Sequence, residues 1–285
     1  MSKGFFTIAQ GKQYQRMAYG LALSLKLSQK KYSNLSIGVT KQEIKKIPSK
    51  YKMVFDEIVE IPWKDDAKKS KWKLENEWKS IYMSPYDETI KLDADMLFFT
   101  DITNWWSILE GNEAVFTTDV LTYRNEKATS TYYRKVFVEN NLPNVYSAFF
   151  YFKKTDKVFE FFKLSELIFN NWQKFFEEFL EPIHRPHYVS TDVVFAIAAK
   201  ILEFEELNHN RNILMPTFVH MKTKMQNWPD DIYSNEDWTK MIPVYFTPEC
   251  ICKIGNYLQI YPLHYYVKNF LTDEKIYYME KKLGV

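Results

Sequence analysis

The chain has 285 residues, 46% hydrophobic and 26% charged, with a formal net charge of +2; this suffices for one large α/β domain or two small ones and leaves no bulk-charge footprint for nucleic acid. Two cysteines, Cys250 and Cys252, are too few for a disulfide framework and read as free thiols. No apolar run approaches membrane-spanning length and the N-terminus lacks a signal-peptide core, so a soluble cytoplasmic protein is expected.

In chain order, residues 4–9 read as a first strand. Over 14–28, Met17, Leu21, Leu25 and Leu27 fall near helical spacing and predict a helix. Residues 35–40 predict a second strand, 44–51 a short helix near Pro48, and 57–61 a third strand stopped by Pro62. A basic, polar stretch over 64–73 leads into a helix over 74–83. A strand ending in an acidic pair comes next, then a helix over 102–109 with Trp105 and Trp106 in its core face, and a strand over 114–118. This alternation predicts right-handed crossovers and a mostly parallel sheet. Ligands then bind beyond the carboxyl ends of the strands, where Thr7 to Ala9, Thr40 and the acidic pair fall.

The second half differs. Residues 146–152 predict an aromatic strand, 157–179 a helix, 191–205 a helix with Ser190 as N-cap, and 218–220 a short strand. Residues 225–285 are rich in Tyr, Trp and Pro and show little periodicity. No repeat or linker divides the chain. One continuous domain is expected, residues 1–224, with an elaborated aromatic-rich extension, residues 225–285, packed on it.

The most informative stretch is Thr89-Ile-Lys-Leu-Asp93-Ala-Asp95-Met-Leu-Phe-Phe99. An extended chain sends residues i and i+2 to one face, so Asp93 and Asp95 project together from a buried strand. Two like charges in an apolar setting repel and are poorly solvated. A hard divalent cation relieves both problems, and it also takes phosphate oxygens.

With the pieces around it, this stretch resembles the nucleotide-diphospho-sugar glycosyltransferases of the GT-A fold, nearest to the glycogenin-like family 8, over residues 4–224. The resemblance implies a Rossmann-like, mostly parallel sheet flanked by helices. Phe5-Phe-Thr-Ile-Ala-Gln10 and Tyr14 look like the opening strand and loop, which in that family hold the nucleoside; Thr7, Ala9, Gln10 and Tyr14 are the donor-binding candidates, Tyr14 by stacking or else as a core side chain. Leu92-Asp93-Ala94-Asp95 looks like the metal motif, with Asp93 and Ala94 also expected to bind the donor. Tyr146-Ser147-Ala-Phe-Phe-Tyr-Phe152 matches the strand beside the sugar, with Ser147 as the contact. Thr191-Asp192 matches the family's pair near the donor sugar. Val219-His220-Met-Lys222-Thr-Lys224 looks like its His-x-x-x-x-Lys element, whose histidine is the third metal ligand. The chain departs from the pattern at Ala148, at Val193 and in lacking a Lys-Pro-Trp ending.

The residues allow these roles. A neutral imidazole at His220 suits manganese, although a lone histidine also reads as a surface or core residue. Lys222 and Lys224 suit the leaving diphosphate, with Lys73 as a further candidate. Asp192 reads either as favourable first-turn charge or as a catalytic side chain that hydrogen-bonds donor-sugar hydroxyls or stabilises oxocarbenium character at the anomeric carbon. His184 and His187 read as loop residues, and His209 and His264 carry no partner signal. The expected activity is transfer of a sugar from a UDP-sugar, dependent on manganese or magnesium and retaining by resemblance. The acceptor is open: a glycan, a protein side chain, a lipid-linked glycan or a modified nucleobase of DNA. The alternatives are a non-catalytic module that holds nucleotide sugar or glycan, and a nucleotidyltransferase. The latter would carry a glycine-rich phosphate loop, which Gln10-Gly11-Lys12 is not.

Overall fold

The computed structural model describes residues 1–70, 73–129, 134–204, 216–221 and 237–285. The strands are β1 (Lys3–Ile8), β2 (Leu35–Val39), β3 (Ile58–Glu60), β4 (Glu88–Leu92), β5 (Met96–Leu97), β6 (Ala114–Thr117), β7 (Tyr146–Lys153), β8 (Val219–His220), β9 (Val244–Phe246), β10 (Cys252–Ile254), β11 (Tyr257–Leu258) and β12 (Leu263–His264). The helices are α1 (Lys12–Ser28), α2 (Lys41–Ile44), α3 (Ser49–Lys52), α4 (Ser80–Met83), α5 (Thr103–Leu109), α6 (Lys135–Val138), α7 (Asp156–Asn170), α8 (Trp172–Phe179), α9 (Thr191–Ile201) and α10 (Asp273–Leu283).

Six strands form the central sheet in the order β3-β2-β1-β4-β7-β6. The first four are mutually parallel; β7 runs antiparallel to both β4 and β6. This is the mostly parallel, helix-flanked α/β sheet that the alternation of elements predicts. Its core follows from side-chain alternation along β7. Phe149 and Tyr151 enter the cluster that α1 covers, while Phe150 and Phe152 enter the one that α7 and α9 cover. All four are fully buried, so the strand reads as a continuous apolar run because both faces are covered. Burying each such side chain stabilises the fold by about 1.5–3 kcal/mol.

Several predicted helices are shorter than their patterns. The segment near Pro48 splits into α2 and α3, because Pro48 has no N–H to continue a helix and instead precedes the first turn of α3. Residues 77–79 form a 3₁₀ turn that runs into the single turn of α4, after Lys73 takes a left-handed φ of 59°. The long aromatic helix breaks at Asn171 into α7 and α8. Residues 237–285 are more regular than their composition suggests. They supply β9 to β12 and α10, which is capped by the Thr272 hydroxyl and ended by left-handed Gly284. A second small sheet, β5-β12-β8, inserts β12 between the strand after the acidic pair and the strand carrying His220. No helix among the described residues is long and apolar enough to cross a membrane.

Candidate metal centre and its cleft

Asp93 leaves the carboxyl end of β4 with its N–H donating to the Ala148 carbonyl at 2.9 Å, and the Asp95 carbonyl accepts from the Tyr265 N–H at 3.1 Å. The acidic turn is thereby tied on one side to β7 and on the other to the segment after β12. Buried Ala94 lies between the two acids and lines the cleft beside them. β12 brings in an imidazole. His264 Nε2 lies 3.2 Å from Asp95 Oδ1 and 3.9 Å from Asp93 Oδ2. The three ligand atoms all lie within 4.8 Å of one another. A cation with bonds of about 2.1 Å sets adjacent ligand atoms roughly 3 Å apart, so two carboxylate oxygens and one imidazole nitrogen here suit Mg²⁺ or Mn²⁺ with small adjustments. Burial would raise the Asp95 carboxyl, yet the His264 ring beside it holds it below the usual carboxylate range.

The histidine at this centre is thus His264, not the expected His220. β8 and β12 pair in parallel with His220 opposite His264. The two rings stack 4.8 Å apart at 27°, and His220 also meets Tyr146 and Phe218 edge-on. His220 therefore stacks on the ring of His264 while lining the same cleft. The expected Lys222 and Lys224 lie outside the described residues. Lys268 lines the cleft four residues after His264, with Nζ 4.9 Å from the ring centre of Tyr14. The signal for both was present as His264-Tyr-Tyr-Val-Lys268, a histidine followed at short range by a lysine.

A cavity of about 280 Å³ opens over the acidic pair. Thr7, Gln10 and Tyr14 line one side, as the first loop was expected to. That loop turns at Gly11, whose φ of 92° suits glycine. Ala9 is in the core instead, its N–H bonded to the Gly38 carbonyl. Burial pushes the Tyr14 hydroxyl up, with Asp95 and Asp93 adding to it, which places that hydroxyl in the field of the acidic pair. The hydroxyls of Thr7 and Thr191 are buried in the wall with no hydrogen-bond partner among the described residues, donors and acceptors that a ligand can satisfy. Gln10 is committed to a network with Asp65 and Asn76. Lys73 reaches the wall, but its ammonium donates to the carbonyls of Ala67 and Lys68, closing the 3₁₀ turn there.

On the opposite side Asp192, at the start of α9, accepts from the Ser147 N–H at 2.9 Å and the Ser147 hydroxyl at 2.6 Å. Its other oxygen accepts from Arg134 at 2.7 Å. Burial would raise this carboxyl, but Arg134 and Ser147 hold it below the usual range. A carboxylate has about four lone-pair sites. Among the described residues three are taken, leaving one, enough for a single hydroxyl. Arg134 itself lies between the rings of Phe137 and Tyr146, 3.8 and 4.0 Å from their centres.

Beneath the acidic pair lies a lysine whose role the sequence reading did not foresee. Lys91 is two residues before Asp93 and points to the same face. Its ammonium, with the side chain 1% exposed, pairs with Asp93 Oδ1 at 3.0 Å and with Glu77. Burial would depress this ammonium, but Glu77 and Asp93 hold it above its ordinary range. Burial pushes the Glu77 carboxyl up, Lys91 opposing. Lys91 so fixes one oxygen of Asp93 and leaves the other facing His264.

No family model and no curated protein sequence matches the chain. Among solved structures, mouse xyloside xylosyltransferase 1 in its apo form is similar over 73% of this chain and 84% of that one, at a TM-score of 0.45 and 11% identity. At that distance the likeness concerns the path of the backbone, and the chemistry rests on the side chains described above.

Proposed function

We propose that the protein is a metal-dependent glycosyltransferase that uses a nucleotide-diphospho-sugar, with a UDP-sugar as the donor to test first. The observation that carries this reading is the convergence of Asp93, Asp95 and His264 at the carboxyl end of β4, on the floor of a cleft. When bound there, a divalent ion supplies Lewis-acid stabilisation of the diphosphate. Asp93 and Asp95 hold it by charge, and His264 completes the set as a neutral ligand.

The remaining roles belong to the cleft walls. Thr7 and Tyr14 receive the nucleoside, where β1 ends at the edge that binds ligands in sheets of this kind. Lys268 lies beside Tyr14 and neutralises the charge that develops on the diphosphate. The free lone pair of Asp192 accepts one hydroxyl of the donor sugar, with Ser147 and Arg134 fixing its direction. In the reaction an acceptor oxygen forms a bond to the anomeric carbon as the bond from that carbon to the diphosphate oxygen breaks. The bonding pair leaves with the nucleoside diphosphate, which also receives the acceptor's proton. Retention of configuration is part of the proposal by resemblance.

Calorimetry tests the reading. UDP is titrated into the protein with Mn²⁺ and then with EDTA. Binding is expected only with the ion, because the bare acidic pair repels a diphosphate. Equal affinity in both conditions removes the metal bridge, and with it this function.

A further inference from the structure

Two tyrosines at the mouth of the cleft have no place in the donor side of this scheme. Tyr188, in the loop before α9, is 59% exposed, and Tyr266, just after β12, is 44% exposed. Both line the cavity above the acidic pair. Neither ring packs on another ring or a cation among the described residues. An exposed tyrosine alone needs no explanation. Two from separate elements, partly exposed and lining the same polar cleft as the acidic pair, offer it two amphipathic aromatic faces.

The backbone at Tyr266 adds a second observation. The Val267 N–H donates to the Tyr265 carbonyl across a three-residue turn, and Tyr266 at its centre has a φ of 57°. A γ-turn with positive φ at a non-glycine residue is the rare, strained form. Its neighbours are fixed: Tyr265 is fully buried with its N–H on Asp95, and His264 is in β12. The strain therefore falls on Tyr266, whose side chain lines the cleft. Strained conformations of this kind collect at ligand clamps.

We propose that Tyr188 and Tyr266 form an acceptor subsite for a pyranose ring, so that the acceptor is a carbohydrate rather than an amino-acid side chain or a nucleobase. The proposal rests on the glycosyltransferase reading above. The chemistry favours a sugar for three reasons. A tyrosine offers a flat apolar face of low conformational entropy, which suits the C–H face of a pyranose, and a hydroxyl that reaches the sugar's rim. The same cleft carries polar side chains, with the Thr191 hydroxyl, unpartnered among the described residues, and the Ser147–Asp192 pair. A nucleobase would favour a closed aromatic sandwich and a surrounding basic surface. Among the described lining residues the basic side chains are Lys73, Lys91, His220, His264 and Lys268; Lys73 is tied to carbonyls and Lys91 to carboxylates.

Saturation-transfer NMR tests the subsite without any donor. The full chain is mixed with methyl α- and β-pyranosides of glucose, galactose, mannose and xylose. At least one is expected to receive saturation on its ring protons. Tyr188→Ala and Tyr266→Ala should each weaken that binding by roughly fivefold or more, whereas Tyr188→Phe and Tyr266→Phe, which keep the stacking face, should stay within about twofold. Thermal unfolding checks that each variant is folded. Silence across the panel, or alanine variants that bind like the parent, overturns the proposal. The UDP titration with Mn²⁺ is run on the same sample. Glycoside binding without nucleotide binding keeps the subsite and removes the transferase reading; nucleotide binding without glycoside binding does the reverse.

Discussion

Replacing Lys91 by Met probes the charge cluster beneath the acidic pair. Methionine nearly matches the lysine stem in volume, so the change leaves little cavity and chiefly removes a charge. The Lys91 and Glu77 side chains are 1% and 8% exposed, so water cannot replace the lost ammonium. At 3.0 Å from Asp93 the gross attraction is about 5.5 kcal/mol with an effective dielectric of about 20, most of it offset by desolvation. The net effect is set by what remains: a buried Glu77 carboxylate with no cation, worth about 3–5 kcal/mol of destabilisation. The double variant Glu77→Gln/Lys91→Met removes both charges and should return to within about 1 kcal/mol of the parent. The pH dependence has a definite sign. Burial already raises the Glu77 carboxyl above the ordinary 4.5, and without Lys91 nothing opposes that rise. The fold then holds a proton that the unfolded chain has lost, so stability declines as pH climbs above the ordinary value. The single variant should therefore be closer to the parent at pH 5 than at pH 7.5. Urea unfolding followed by circular dichroism at both pH values reads this. Single and double variants that are equally destabilised, with no pH dependence, would refute the argument.

Further outcomes follow from the site. His264→Ala should weaken Mn²⁺ binding, measured by electron paramagnetic resonance titration, by more than about tenfold, since even residues that only orient a ligand contribute that much. His220→Ala should do less, and the reverse ranking would return the ligand role to His220. Asp95→Asn should abolish metal-dependent UDP binding in calorimetry while the circular dichroism spectrum is unchanged; retained binding would move the centre elsewhere. Burial pushes the Cys252 thiol up to about 12 from 9.0, so the unfolded chain ionises first and stability is lost between those values. The loss is about 1.4 kcal/mol per pH unit from this one group, and Cys252→Ala should flatten the alkaline limb of the stability curve by that amount. Equal slopes would show that Cys252 ionises alike in both states.

The parts of this architecture that follow short-range rules were readable in the sequence. β1, β2, β4 and β7 each carry a local apolar pattern, and α1 carries its helical spacing. The acidic pair was legible as two carboxylates at the end of an apolar strand, but β4 stops at Leu92 and the pair converges through the turn that follows rather than by strand alternation. Lys91 lies in β4 itself, yet nothing local tells a buried lysine from a solvated one; its state depends on Glu77, which arrives from a separate turn. His264 was hidden for a related reason. It sits on a two-residue strand, too short for a period, and its position is set by pairing with β5 and β8. α10 is a different case. Its Thr272 cap, its acidic first turn and Gly284 were all visible, but the aromatic composition around them masked the helix.

The insertion of β12 between β5 and β8 has a consequence for synthesis. Asp93 and Asp95 emerge early from the ribosome, with the strands that carry them. His264 follows much later, and at about 5–20 residues per second the carboxylates wait on the order of 10–30 s for their imidazole. During that interval the nascent chain has the acidic pair and Lys91 but no third ligand, and β5 has an open edge. The candidate metal centre is therefore completed late in synthesis, and a ribosome stalled before residue 263 would hold a chain with its main sheet available and that centre one ligand short.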